Sequence, residues 1–223
     1  MKKLIVTLAL AAMAGVAAIA QNPILNNPDN KAYFGIRVGA DVTCPGNVSA
    51  DNIGIDCYNN GGGIEFGGIY NLPIVANLYI EPGLKLYYDT YSLNDDFIPA
   101  IEDDIIFDGM TIKKFGMRIP VMAGYHFDFT KDIKAYIFTG PELEIGFTAK
   151  QYITSANLEM SGSMYGEDGG LHRADLIWNI GAGISYQHFY FGINGGIGML
   201  NMYSESDFKF HENRVTFSVG YNF

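Results

Sequence analysis

The chain has 223 residues, enough for one domain, and it carries 24 acidic against 14 basic side chains, a formal net charge of −10. This balance argues against nucleic acid and anionic lipid surfaces as partners, because both are bound through lysine and arginine. After the N-terminus, no uncharged apolar run approaches the roughly 20 residues of a membrane helix, so any membrane span would have to consist of strands.

The N-terminus has the pattern of a secretory signal peptide. Two lysines precede an apolar run, which ends at Ala20 in a small-x-small triplet. This pattern predicts cleavage after Ala20 and export of the chain, whereas the alternative, an uncleaved membrane anchor, usually lacks such a site. We therefore predict a signal peptide over residues 1–20, a short periplasmic segment over 21–31 and one domain over 32–223.

The first polar segment of the mature chain, "TCPGNVSADNIGIDCYNN", contains both cysteines, Cys44 and Cys57. In an exported protein this pair predicts a disulfide, which would contribute about 3 kcal/mol of stability by closing a small loop. The alternative is a pair of metal-binding or catalytic thiols. Such a pair usually has a close Cys-x-x-Cys spacing or nearby histidines, and this segment has neither.

Apolar and polar side chains alternate through the mature chain, and clusters of Gly, Asn, Asp and Pro interrupt the alternation. The pattern predicts eight strands, over residues 32–42, 62–71, 77–91, 113–128, 134–149, 173–187, 189–202 and 212–223. Long polar segments follow the first, third, fifth and seventh strands, and short turns follow the second, fourth and sixth. Transmembrane β-barrels have this arrangement, with the short turns in the periplasm and the long loops outside the cell.

One face of each predicted strand carries no charge. In the third strand, for example, Leu84 and Leu86 lie on this face, while Glu81 and Lys85 lie on the other. A lipid-facing surface requires an uncharged face, and the aromatic residues at many strand ends match the girdles at membrane interfaces. The alternative is a soluble barrel, which would enclose the apolar face instead.

The predicted fold is therefore all-β: a closed, antiparallel, up-and-down transmembrane β-barrel of eight strands in the bacterial outer membrane. Ten strands are the alternative, because Asp108 and Gly109 have the sequence of a hairpin turn. Pro82, Pro120 and Pro141 fall in the middle of predicted strands, where bulges would accommodate the missing backbone donors.

The other face of the strands carries charges of both signs, which we predict to form a network in the lumen. Its members are Arg37, Glu65, Glu81, Lys85, Arg118, Glu142, Glu144 and Arg214. Eight strands enclose a space that side chains can fill, and a buried charge without a partner costs several kcal/mol. These constraints favour a plugged barrel. A narrow pore is the alternative, because inward-facing glycines would open space.

Three proline-containing stretches, "YIEPGLKLYY", "FGMRIPVMAGYHF" and "YIFTGPELEIGF", follow one another between Leu78 and Phe147. In order and spacing they resemble motifs of a Bacteroidetes outer-membrane β-barrel family that includes PorT-like proteins. Arg118 departs from the pattern, in which an acidic or neutral residue is expected. The resemblance implies an outer-membrane barrel and, as one functional alternative, a component of a protein-secretion apparatus.

The C-terminal sequence "RVTFSVGYNF" resembles the signal that the barrel-assembly machinery recognises, with Val219, Tyr221 and Phe223 as its apolar positions. The resemblance implies contact with that machinery during biogenesis. In the membrane, the expected partners are outer-membrane lipid and lipopolysaccharide, and we expect a monomer.

No constellation in the sequence fixes a catalytic geometry. The residues that a rim-active hydrolase could use are His172, His211, Asp168, Ser204, Ser206 and Glu212. The acidic segment 95–108 lacks the spacing of an EF-hand, so we predict a solvated loop rather than a calcium site. We expect no enzymatic activity, no cofactor, and a structural or surface-interaction role through the long outer loops.

Overall fold

The computed structural model describes residues 31–50, 53–94, 107–155, 158–166, 170–203 and 207–223. The predicted signal peptide lies outside these ranges. The strands are β1 (Tyr33–Pro45), β2 (Val48–Ala50), β3 (Ile53–Ile55), β4 (Gly61–Val75), β5 (Leu78–Ser92), β6 (Phe107–Asp128), β7 (Ile133–Ser155), β8 (Leu158–Ser163), β9 (Ala174–Tyr186), β10 (Phe189–Gly198) and β11 (Glu212–Asn222). No helix in the described ranges has the length and apolarity needed to cross a membrane.

Eight of these strands form one closed antiparallel barrel, which confirms the predicted fold class. Around the wall the order is β1, β4, β5, β6, β7, β9, β10 and β11, and the pairing of β11 with β1 closes the cylinder. The two short strands β2 and β3 form a hairpin in the first long loop, and β8 pairs with the loop-side end of β7. Apart from the closing pair β11 and β1, each strand of the wall therefore pairs with the wall strand before it and the wall strand after it in the chain.

The ten-strand alternative is wrong. Gly109 lies within β6, where the register against β7 shifts between Phe107 and Gly109, so no hairpin turn forms at Asp108 and Gly109. The strands β6 and β7 are 22 and 23 residues long and extend on the loop side beyond the end of β5. The extra alternation in the sequence therefore lengthens two strands and adds none.

The mid-strand prolines fit the wall without bulges at their own positions. Pro82 lies opposite Val121 and Lys85 lies opposite Arg118, so the register of β5 against β6 is the same on both sides of the gap. A bulge does occur at Pro73, which lets β4 continue to Val75, beyond its predicted end at residue 71. The short turn between β4 and β5 is therefore shorter than predicted.

The two faces of the wall are divided as predicted. The outward-pointing side chains of the lipid-facing band are uncharged, and Ile64, Ile180 and Phe191 among them are each more than half exposed. The outward-pointing Lys113 and Lys150 lie beyond this band on the loop side. Charged side chains point into the lumen, and Arg118 has no exposed surface at all. Because an exposed apolar band of this kind suits hydrocarbon and not water, the outer face of the barrel is a lipid-facing surface.

Segments from the long loops, together with the loop-side ends of β5, β6 and β7, form an apolar cap over one end of the lumen. Its buried members are Cys57, Tyr58, Tyr91, Ile112, Ala149, Met164, Tyr165, Leu171, Met202 and Phe210. The ring of Tyr58 packs 5.3 Å from that of Phe210, and its hydroxyl is 3.0 Å from the hydroxyl of Tyr203. Burial raises the pKa of Tyr58 well above its ordinary value, so this hydroxyl stays neutral.

At the short-turn end, a smaller tyrosine cluster fills the lumen. Tyr136 packs 6.0 Å from Tyr79 and 5.9 Å from Tyr190, measured between ring centroids, and Phe138 packs against the group. The hydroxyl of Tyr136 is 3.1 Å from that of Ser185, so its polar end is satisfied. Side chains therefore occupy both ends of the barrel interior.

The predicted disulfide is wrong, because Cys44 and Cys57 are free thiols. Cys44 belongs to β1 and continues the outward-facing series of Val38 and Val42, whereas Cys57 is buried in the cap. The two residues thus lie on opposite sides of the wall, although only 12 residues separate them in the sequence. Burial raises the pKa of the Cys57 thiol, and the charge of Asp56 raises it further.

We expect both thiols to be alkylated when the purified protein is unfolded without a reducing agent, because no disulfide protects them. Mass spectrometry should then show two adducts, and a disulfide would give none. In the folded Cys44→Ser variant, Cys57 should react slowly at pH 7 and faster as the pH rises, because only the thiolate reacts and its pKa is raised.

Candidate functional site: a charged belt in the lumen

The barrel places the predicted charges in one layer between the cap and the tyrosine cluster. All eight predicted members lie on inward-facing positions of the eight-stranded wall, and six of them are buried. These six are Arg37, Glu65, Arg118, Glu142, Glu144 and Arg214. The inward face predicted from alternation is therefore the observed one.

The centre of this layer, which we call the charged belt, is Arg118 on β6. Its guanidinium donates to Asp41 on β1 at 2.7 Å, to Glu65 on β4 at 3.1 Å and to Glu144 on β7 at 2.9 Å. It also donates to Asp89 on β5. One cation thus joins four carboxylates from four other strands, and charge-assisted bonds of this kind are the strongest hydrogen bonds in proteins.

A second cation, Arg214 on β11, connects the last strand to the charged belt. Its guanidinium donates to Glu142 and, at 3.2 Å, to Glu144, and it approaches Asp41 at 3.9 Å. The hydroxyl of Thr216 donates to the same Asp41 carboxylate at 2.6 Å. The first and last strands of the wall are therefore connected through side chains as well as through backbone pairing.

Two lysines add further ion pairs to the belt. Lys114 lies 3.2 Å from Glu144 and also pairs with Glu212, while Lys85 lies 2.6 Å from Glu65. Every ion pair of the belt is buried or nearly buried, so removal of one partner would leave an uncompensated charge inside the lumen.

Two predicted members of the network form no ion pair among the described residues. Arg37 instead lies over the ring of Tyr190 at 4.0 Å, and Glu81 accepts a hydrogen bond from Asn71 at 3.1 Å. Both line a cavity of about 40 Å³ on the turn side of the belt, which has room for about two or three waters.

The predicted network omits four residues that the structure includes: Asp41, Asp89, Lys114 and Glu212. Alternation places Asp41, Asp89 and Lys114 on the same inward face, and Glu212, two residues from Arg214, shares that face as well. The position of Glu212 at a strand end suggested the outer rim instead. In the structure the Glu212 side chain points into the lumen and forms an ion pair with Lys114.

The predicted rim residues are not brought together as a catalytic group in the described part of the chain. His172 is exposed, and its backbone N–H donates to Met202. Glu212 belongs to the belt, and Asp168, Ser204 and Ser206 lie outside the described residues. So does the acidic segment over residues 95–106, and among the described residues no group of His, Cys, Asp and Glu is arranged to hold a metal.

The predicted assembly signal forms the outward face of the closing strand. Val219 and Phe223 are exposed, and the backbone N–H of Phe223 donates to Phe34 at 2.8 Å. The rings of Tyr221 and Phe223 pack 5.0 Å apart. Recognition by the assembly machinery stays a prediction.

Comparisons with known proteins gave a family match and similar solved structures. A family model described as an outer membrane protein β-barrel domain matches residues 19–204. Among solved structures, Ail, the attachment invasion locus protein of Yersinia pestis, is 12% identical, with 87% of this chain and 100% of that chain covered and a TM-score of 0.45. Neisserial surface protein A is also 12% identical, with the same coverages and a TM-score of 0.44. A search of curated proteins gave no match.

We expect Arg118→Met to lower the free energy of unfolding at pH 7 by about 3–5 kcal/mol, because it leaves buried carboxylates without their cation. Lowering the pH should recover part of this loss, since protons neutralise those carboxylates. Denaturant titration, followed by the heat-dependent shift of the folded band on a gel, measures both effects. Lys131→Met, at an exposed lysine in the β6–β7 turn, is the control and should change little; equal stability of the two variants would contradict the role of Arg118.

Proposed function

Because the chain belongs to the family of outer membrane protein β-barrel domains, we propose that it is a non-conducting barrel without enzymatic activity. Its role is structural or is the binding of other molecules through its extracellular loops. The observation that carries this proposal is the filled lumen, in which the apolar cap, the charged belt and the tyrosine cluster follow one another along the axis.

The charged belt is the strongest barrier to a permeating solute. Arg118 is fully buried and is bonded to four carboxylates on four other strands, so a passing ion would have to separate several desolvated pairs. Leaving one charge of a buried pair without its partner costs about 3–5 kcal/mol. The cavity of about 40 Å³ beside the belt holds only a few waters, far less than a permeation path needs.

The loop side offers apolar surface outside the barrel wall. Ile53 on the β2–β3 hairpin and Met160 on β8 are each 66% exposed, and Phe208 is 40% exposed. Interaction sites on protein surfaces often contain exposed apolar groups, so these three residues are our first candidates for contacts with other molecules. In an outer-membrane barrel the long loops face the outside of the cell, so this surface would meet the environment.

We expect no discrete conductance steps when purified, folded protein is reconstituted in a planar bilayer, because no open path crosses the charged belt. A general porin inserted in the same way is the positive control, and the heat-dependent gel shift confirms that the sample is folded. Reproducible single-channel steps from the wild-type protein would overturn the proposal in favour of a narrow pore.

A second proposal is the narrower assignment to PorT-like barrels, with a role in protein secretion. The observation in its favour is that the three proline-containing motifs occupy consecutive strands, with Pro82 on β5, Pro120 on β6 and Pro141 on β7. If this role is right, deletion of the gene should lower the amount of secreted protein in the culture medium, measured by quantitative mass spectrometry. An unchanged secretome would contradict it.

A further inference from the structure

Two lysines face each other directly on the outer wall of the barrel. In the register of β6 against β7, Lys113 lies opposite Lys150. Both are exposed, and their neighbours Lys114 and Ala149 are buried toward the interior, so Lys113 and Lys150 point outward. Like charges in directly opposed positions destabilise a pair of strands. This arrangement is unexpected in a chain with ten more acidic than basic residues.

The lysine pair lies at the depth of the lipid headgroups. Lys113 is two residues beyond Phe115 on the loop side, which is about 7 Å along the strand. The rings of Phe115 and Phe147 pack 5.6 Å apart on the outer surface, in the manner of an aromatic girdle at the membrane interface. The two ammonium groups are thus just outside the hydrocarbon layer, next to the outer leaflet.

An aromatic ring lies beside one of the two lysines. The Lys113 ammonium lies 4.6 Å from the ring centre of Tyr152. Arg173 does not belong to this site, because it lies 5.0 Å from the ring of Tyr165, a buried member of the cap, and donates to the backbone carbonyl of Phe147 at 3.0 Å. Among the described side chains, no carboxylate forms an ion pair with Lys113 or Lys150.

We infer that Lys113 and Lys150 bind the phosphate of a phosphorylated lipid in the outer leaflet. An anionic headgroup supplies the charge that the wall lacks between the two ammonium groups, and its acyl chains lie along the apolar surface below the girdle. The lipid and not free phosphate is the ligand, because the site opens sideways onto the leaflet. This inference goes beyond the proposed function and does not depend on a closed lumen.

Native mass spectrometry of the detergent-purified protein tests the site, with diphosphorylated lipid A as the probe. We expect saturable binding of lipid A to the wild-type protein. Binding to the Lys113→Gln, Lys150→Gln double variant should be roughly 30-fold weaker, because each cation near an anionic lipid raises the affinity about fivefold. The control is the Lys131→Gln, Lys209→Gln double variant, which removes the same charge at exposed positions away from this part of the wall and should bind as the wild type does.

Two further measurements distinguish a lipid phosphate from free phosphate as the ligand. Dephosphorylated lipid A with the same acyl chains should bind as weakly as lipid A binds to the Lys113→Gln, Lys150→Gln protein. Inorganic phosphate at millimolar concentration should not displace lipid A. The inference is overturned if both double variants lose binding equally, if the phosphates make no difference, or if inorganic phosphate competes. The heat-dependent gel shift shows that each variant is folded before it is measured.

Discussion

The structure depends on the burial of one guanidinium. Arg118 is fully enclosed and is bonded to carboxylates on β1, β4, β5 and β7, so its charge is compatible with the lumen only when all these strands are in register. A shift of one residue in any of them would turn its carboxylate toward lipid, because successive side chains of a strand point to opposite faces. Electrostatics inside the barrel and an uncharged outer face therefore impose the same register.

The small diameter of an eight-stranded barrel accounts for the rest of the interior. Space of this size is filled by side chains, and here three kinds of filling follow one another: an apolar cap, a charged belt and a tyrosine cluster. The cap is made from loop residues such as Tyr58 and Phe210, so the loops are tied to the lumen instead of standing free. A lumen filled in this way leaves the outer wall and the loop surface as the places where function can reside.

Much of this could be predicted from residue alternation. Glu81, Lys85 and Asp89 are separated by steps of four on one strand, which places them on one face, and the uncharged set between them places that face inward. Alternation could not show that Asp108 and Gly109 continue a strand, because the same dipeptide also suits a hairpin. It could not separate Cys44 from Cys57, because closeness in sequence does not reveal that one faces the outer wall and the other the cap.

By itself, the sequence determined the class of the protein: its period-two pattern with an uncharged face permits an eight-stranded membrane barrel and requires that the charges be enclosed. Only the tertiary structure decided which charges meet, since Thr216 and Asp41 are 175 positions apart and come together only when the last strand closes on the first. The same holds for Lys113 and Lys150, whose opposition follows from the register of β6 against β7. Side-chain direction is a local property of a strand, whereas the partner across the wall depends on how the strands are aligned.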